Sequence, residues 1–262
     1  MAAPHTGSEI RALLEMKYGE LTYDDASHIY RRDDGIILPS ITTVKKKVVG
    51  EFDPGIAGRM AGKRNVTREV IQAEWDAIRD CGTLTHELLE AILFNGVVMR
   101  PTDHSTYSAL THARFLAYKR VGLVSQMINA MRNSGIEPVA AEFQVWCDTA
   151  AGTLDILGWD DANACYRVVD WKTNGPRPFN EEGPWTKYLG KPFEDFKGTK
   201  VAEFSVQLES YAAMLASVLD VEIGSGLIIH GRLHDEEFGD VMCFATQEMR
   251  SICNKWLQLE NT

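Results

Sequence analysis

The sequence predicts an α/β fold: a central mixed β-sheet flanked by helices, preceded by a mainly helical N-terminal part that carries a β-hairpin. Three observations predict it. Residues 137–147 (EPVAAEFQVWC), 151–158 (AGTLDILG) and 164–171 (ACYRVVDW) are rich in Val, Ile and aromatics, and Asp148, Asp160, Asp161 and Asn163 lie between them, as in a three-stranded meander. Helical stretches lie on both sides of this meander. A further apolar run, GLIIHGRL at 226–233, follows an amphipathic helix over 200–219, which adds a strand to the sheet and a helix against it.

In chain order, residues 8–18 read as a helix with Ser8 as N-cap and Gly19 as C-cap. Residues 21–38 (LTYDDASHIYRRDDGIIL) read as a hairpin turning at Asp34-Gly35. Pro39-Ser40 opens a helix over ITTVKKKV with Ser40 as cap. Residues 66–94 read as helical with a break near Gly82, and 103–132 as a further helical stretch after Pro101. The pattern changes at Gly135, so a single domain over 1–262 divides into a helical part, 1–135, and an α/β core, 136–262. Eight Gly and Pro within 174–199 predict a long irregular loop, a kind that usually carries function. A last helix is expected from about 246.

Hydrophobic residues make up 45% of the 262 and charged residues 24%, the balance of a globular chain with a sizeable core. No apolar run approaches the roughly 20 residues of a membrane helix. The first twenty residues show no basic stretch followed by an apolar one, so neither a membrane span nor a secretory signal is expected. Five widely spaced cysteines with no CxxC predict reduced thiols and a cytoplasmic protein.

Net charge is −10, which argues against a histone-like or repressor-like basic binder. The charge is unevenly placed. Residues 44–68 hold seven Lys or Arg against two acids, whereas 137–172 hold seven acids against two bases. Lys45, Lys46, Lys47, Lys63, Arg64 and Arg68 therefore make a candidate strip for a phosphate backbone, or simply a solvated face.

The chemistry concentrates in Gly152-Thr153-Leu154-Asp155 and Asp170-Trp171-Lys172-Thr173. Side chains two apart on a strand share a face, so Asp170 and Lys172 project together and Asp155 can join them from the neighbouring strand. Two carboxylates and a lysine there suit a hard divalent cation with oxygen ligands; a surface ion pair is the plainer alternative. His86 and Glu90, four apart in GTLTHELLE, share a helix face on which both can serve one metal. HExxH is not completed, because Glu90 stands at the second His position, so a zinc protease is set aside. A hydrogen-bonded core histidine is the alternative for His86. Gln207 and Tyr211 repeat the four-residue spacing on the 200–219 helix, where they can brace the carboxylates or form an amphipathic rim.

The order GTxxHxxxE, an acidic strand residue at Glu142, GTxD, DxKT and QxxxY resembles the RecB-type branch of the PD-(D/E)xK nucleases. Leu38-Pro39-Ser40-Ile41-Thr42-Thr43-Val44 is similar to the PSVTxV segment of phage exonucleases and of the mitochondrial genome maintenance exonuclease. The resemblance spans about 29–215. It implies a restriction-endonuclease-like core, magnesium or manganese, and cleavage of DNA, with an exonuclease acting on single strands or ends. It implies metal ligation by His86, Asp155, Asp170 and the Trp171 carbonyl, and a catalytic role for Lys172. Glu142 takes the acidic strand position, with Glu90, Gln207 and Tyr211 in support. Some relatives hold an iron–sulfur cluster with four cysteines, three of them clustered after the core. Cys243 and Cys253 are ten apart with no third, so no cluster is expected. A phage origin would place the protein in a bacterial cytoplasm. A catalytically lost DNA-binding protein on the same fold, or a metal hydrolase of another substrate, shares these residues.

Overall fold

The computed structural model describes residues 3–24, 27, 29–50, 53, 55–94, 107–173, 179–182, 186–235 and 237–259. It is an α/β fold in which a mixed five-stranded sheet is flanked by helices and accompanied by a small three-stranded antiparallel sheet.

Helix α1, Gly7–Tyr18, is capped by Thr6 rather than Ser8. Thr6 and Glu9 form a reciprocal capping box that satisfies two orphan N–H groups at once, which Ser8 has no partner to do. Strands β1 (Leu21–Asp24), β2 (Ile29–Arg32) and β3 (Ile37–Leu38) form the small sheet. The turn between β2 and β3 is at Asp34-Gly35, where Gly35 takes a φ of 85° open to glycine. Ser40 caps α2, Ile41–Val49, by accepting the Thr43 N–H at 3.1 Å. The same residue bridges Ala151, whose N–H reaches the Pro39 carbonyl at 3.0 Å. The start of α2 is thereby stitched to the start of the central sheet's second strand.

Helix α3, Ile56–Arg64, was not anticipated, because two of its nine residues are glycine. Helix α4, Arg68–Leu93, runs unbroken through Gly82. A Cβ at Gly82 would lie 3.1 Å from the Thr173 hydroxyl, so this glycine permits close packing instead of ending the helix. The expected 103–132 helix is two, α5 (Ala109–Arg120) and α6 (Leu123–Asn133), parted by Gly122 at a φ of 69°. The predicted start after Pro101 lies outside the described residues.

The meander is present as β4 (Ile136–Trp146), β5 (Ala151–Asp160) and β6 (Cys165–Lys172). Helix α7, Lys200–Ala216, then crosses to β7, Leu227–Leu233, which pairs parallel to β6. An antiparallel edge strand, β8 (Gly239–Ala245), completes the order β4-β5-β6-β7-β8. Its mixture of half-buried and exposed positions hid it from a reading based on apolar runs. Thr246 still bonds the Gly226 carbonyl at 2.9 Å, so helix α8 begins at Arg250 and spans Arg250–Trp256.

Alternation along β6 sends Val168 to one face and Val169 and Trp171 to the other. On the first face Ile10 of α1, Ile41 of α2 and Leu208 and Leu215 of α7 pack with Leu154. On the second, Leu89 of α4 and Met127 of α6 pack with Ile156, Val169 and Ile229. Among the described residues no helix is long and apolar enough to cross a membrane.

Candidate metal centre

The centre forms where β4, β5 and β6 meet α4. The β5–β6 ladder runs from Asp160↔Cys165 to Ile156↔Val169, and Asp155 and Asp170 are the next residues along. There the Asp155 carboxylate replaces a ladder bond: its Oδ2 accepts the Trp171 N–H at 2.7 Å. The same oxygen lies 3.6 Å from His86 Nδ1 on α4.

On β4 the register passes from Ala141↔Ile156 to Phe143↔Leu154, which sets Glu142 opposite Asp155. Glu142 has a φ of 46°. A non-glycine residue in that left-handed region costs on the order of 1–3 kcal/mol and persists only when its surroundings hold it there. The local distortion brings a Glu142 oxygen, a His86 ring nitrogen and an Asp155 oxygen within 4.8 Å of one another. One imidazole and two carboxylates at that spacing can hold a metal ion. The side chains of His86 and Asp155 remain 24% and 16% exposed, so an ion can enter from solvent.

Burial, then the charge of Asp155 and of Glu90 and a hydrogen bond to Glu90, push the Glu142 carboxyl up to about 8, against a smaller opposing pull from His86. Without a cation, Glu142 keeps its proton because three acids cannot all ionise so close together.

Asp170 is held differently. Its Oδ2 meets Lys172 Nζ at 2.6 Å, and both side chains are nearly covered. Burial raises the Asp170 carboxyl above its ordinary range, only partly offset by Lys172. Burial pulls the Lys172 ammonium down, but Asp170 and Asp155 outweigh it, so the net shift is upward and Lys172 stays charged. Lys172 faces α7, with its Nζ 4.9 Å from the centre of the Phe204 ring.

Gln207 and Tyr211 line the same side. Gln207 Nε2 donates to the Tyr211 hydroxyl at 3.3 Å. Burial, followed by nearby negative groups, raises the Tyr211 phenol, so it is neutral. Its ring lies on Gly152: an added Cβ there would sit 2.4 Å from Tyr211 Cε1, which explains the glycine of the GTLD motif.

The structure thus gathers His86, Glu142 and Asp155 as one donor group, with Asp170 paired to Lys172 alongside. Glu142 joins His86 and Asp155 in this group, whereas the family resemblance assigned it the acidic strand position and counted Asp170 and the Trp171 carbonyl among the ligands. The basic strip divides. Lys46, Lys47, Lys63, Arg64 and Arg68 are exposed. Arg64 is clasped by both Glu74 oxygens. Lys45 is not part of an exposed strip: it is 9% exposed and donates to Gln207 Oε1 at 2.8 Å. The reason is helical phase, which turns Lys45 inward with Ile41 and Val48 while Lys46 and Lys47 face out. Phe204 escaped the sequence reading, although its i, i+3 spacing to Gln207 marks it as a neighbour on the same helix face. The five cysteines are free thiols, and the donor group contains none of them.

No protein-family model matches the chain, and no curated protein matches its sequence.

The proton on Glu142 has a measurable consequence. Its folded pKa of about 8 exceeds the ordinary value of 4.5, so the native state binds the extra proton. That contribution is complete below the unfolded pKa and is lost as pH rises through the folded one. Metal-free protein is expected to lose stability from about pH 5 to about pH 8, by at most about 1.4 kcal/mol per pH unit from this group. Glu142→Gln, with no proton to release, should show a flatter melting profile over that range. Parallel profiles for the two proteins would count against the shift.

Proposed function

We propose that this chain is a magnesium- or manganese-dependent deoxyribonuclease that hydrolyses DNA phosphodiester bonds, acting as an exonuclease on single strands or ends. The observation that carries the reading is the His86, Glu142 and Asp155 donor group beside a buried Asp170–Lys172 pair. His86, Glu142 and Asp155 would hold the metal, and its two carboxylate donors favour a hard ion. When bound, such an ion polarises a phosphodiester and makes water a better nucleophile at neutral pH.

The remaining work belongs to the side chains. Lys172 keeps its proton, so it serves as an electrostatic donor to the charge developing on the phosphate, not as a base. Asp170 holds that ammonium in place. Asp155 ties β5 to β6 through the Trp171 N–H. Exposed Lys46, Lys47, Lys63 and Arg68 offer the approaching strand a local positive surface. The acids elsewhere are screened from it beyond a Debye length of about 8 Å.

End-labelled linear DNA incubated with magnesium or manganese should be cleaved, with cleavage abolished by chelator and weak with calcium, whose looser coordination suits an in-line displacement poorly. Full cleavage in chelator would remove the reading.

A further inference from the structure

Lys45 and Lys172 lie far apart in the chain and meet at one side chain. Helix α2 is docked by the Ser40–Ala151 bridge at its start and by the Gly190 N–H on the Val48 carbonyl, 2.7 Å, near its end. Those anchors hold Lys45 against α7. Its Nζ lies 5.3 Å from the centre of the Phe204 ring, which Lys172 Nζ also borders at 4.9 Å. Two ammonium groups therefore flank one phenyl ring beside the metal centre.

Their partners differ. Lys172 has Asp170 at 2.6 Å. Lys45 donates to the neutral carbonyl of Gln207, itself held through Nε2 by Tyr211. Burying a cation against a neutral acceptor, next to a second cation, is costly. An apolar residue would fill the same helical position more stably. Burial first, then the charge of Lys172, draw the Lys45 ammonium down to about 8, with Asp170 and Glu203 pulling the other way. Among the described residues the Asp170 carboxylate is held by Lys172, and the hydrogen-bond partner of Lys45 carries no charge. A ligand anion would supply the charge that Gln207 does not.

We infer that Lys45 is a second cation of the active site, which takes a non-bridging phosphate oxygen of the bound strand on the α7 side of the metal centre. Gln207 positions it, and both ammonium groups border the Phe204 ring. The inference rests on the nuclease reading for the identity of the anion, a backbone phosphate.

The test uses the full chain in excess chelator, where no cleavage intervenes. Binding of a fluorescein-labelled single-stranded oligonucleotide is followed by anisotropy for wild type, Lys45→Met and Lys45→Arg. A charge-assisted hydrogen bond of this kind is worth about 1.5–3 kcal/mol, so Lys45→Met should bind roughly 10- to 100-fold more weakly. Its salt dependence should flatten by about one unit of slope. Lys45→Arg should recover much of the affinity, and the melting temperature of Lys45→Met should not fall. Wild-type affinity and slope in a folded Lys45→Met protein would overturn the inference, as would a wild-type chain that does not bind the oligonucleotide. If Lys45→Met does not fold, the wild type with 13C-methylated lysines decides: the Lys45 signal, assigned through Lys45→Arg, should shift when the oligonucleotide is added, and an unmoved signal overturns the inference. Absence of cleavage by the wild type with magnesium or manganese would end the nuclease reading separately, because binding in chelator still decides Lys45.

Discussion

Lys172→Met is expected to leave the protein folded and to slow DNA cleavage by about two to three orders of magnitude, the usual loss for one preorganised donor to transition-state charge. Methionine fills the space of the lysine stem and keeps the contact with Phe204, so packing is nearly conserved. The electrostatic effect is large. Lys172 Nζ is the cation nearest the Asp170 carboxylate, at 2.6 Å. An unpaired buried carboxylate costs several kcal/mol if it stays charged. Burial already raises the Asp170 carboxyl, and removing the lysine raises it further, so Asp170 takes up a proton and limits the loss of stability. A melting curve close to that of wild type, together with a collapsed single-turnover rate, is the expected pair of results. Lys172→Arg should not restore the rate, because a planar fork does not place charge where a compact ammonium did. Cleavage by Lys172→Met at the wild-type rate would take the lysine out of the mechanism.

Asp155→Asn is expected to have a comparable effect on rate by another route. The asparagine carbonyl can still accept the Trp171 N–H that Asp155 accepts at 2.7 Å, so the β5–β6 junction should survive. What is lost is one negative donor of the three that lie within 4.8 Å. Metal titrations, by calorimetry and by activity, should move to much higher concentrations, with turnover down by about 10²-fold or more at saturating substrate. A second change should accompany it. The charge of Asp155 is the largest influence after burial on the high pKa of Glu142, so Asp155→Asn should also flatten the metal-free stability profile. Asp155→Ala differs in one respect: it leaves the Trp171 N–H without its acceptor, at a cost of about 1–3 kcal/mol, and should melt earlier. An unchanged metal titration in Asp155→Asn would place the ion elsewhere.

The sequence by itself determined what depends on neighbours along the chain. Ser40 as a cap, the Asp34-Gly35 turn, the three-stranded meander and the shared face of Asp170 and Lys172 all follow from periods of two to four residues and from turn chemistry. The pairing of Asp155 with Asp170 was legible one step further, because strand order in a meander is itself local; His86 joined them only through the family resemblance. Tertiary structure decided the rest. Gly82 lies inside an unbroken helix and packs against Thr173, ninety-one positions away, where an added Cβ would come within 3.1 Å of the hydroxyl. Glu142 became a donor because the β4–β5 register sets it opposite Asp155, with its backbone at a φ of 46° that no local preference of glutamate favours. Lys45 left its basic run for the interior because α2 was stitched to Ala151 and rotated one lysine of three onto α7. Through-space packing selects among backbone and side-chain states that the local sequence leaves nearly equal in energy, and the metal centre is built from those selections.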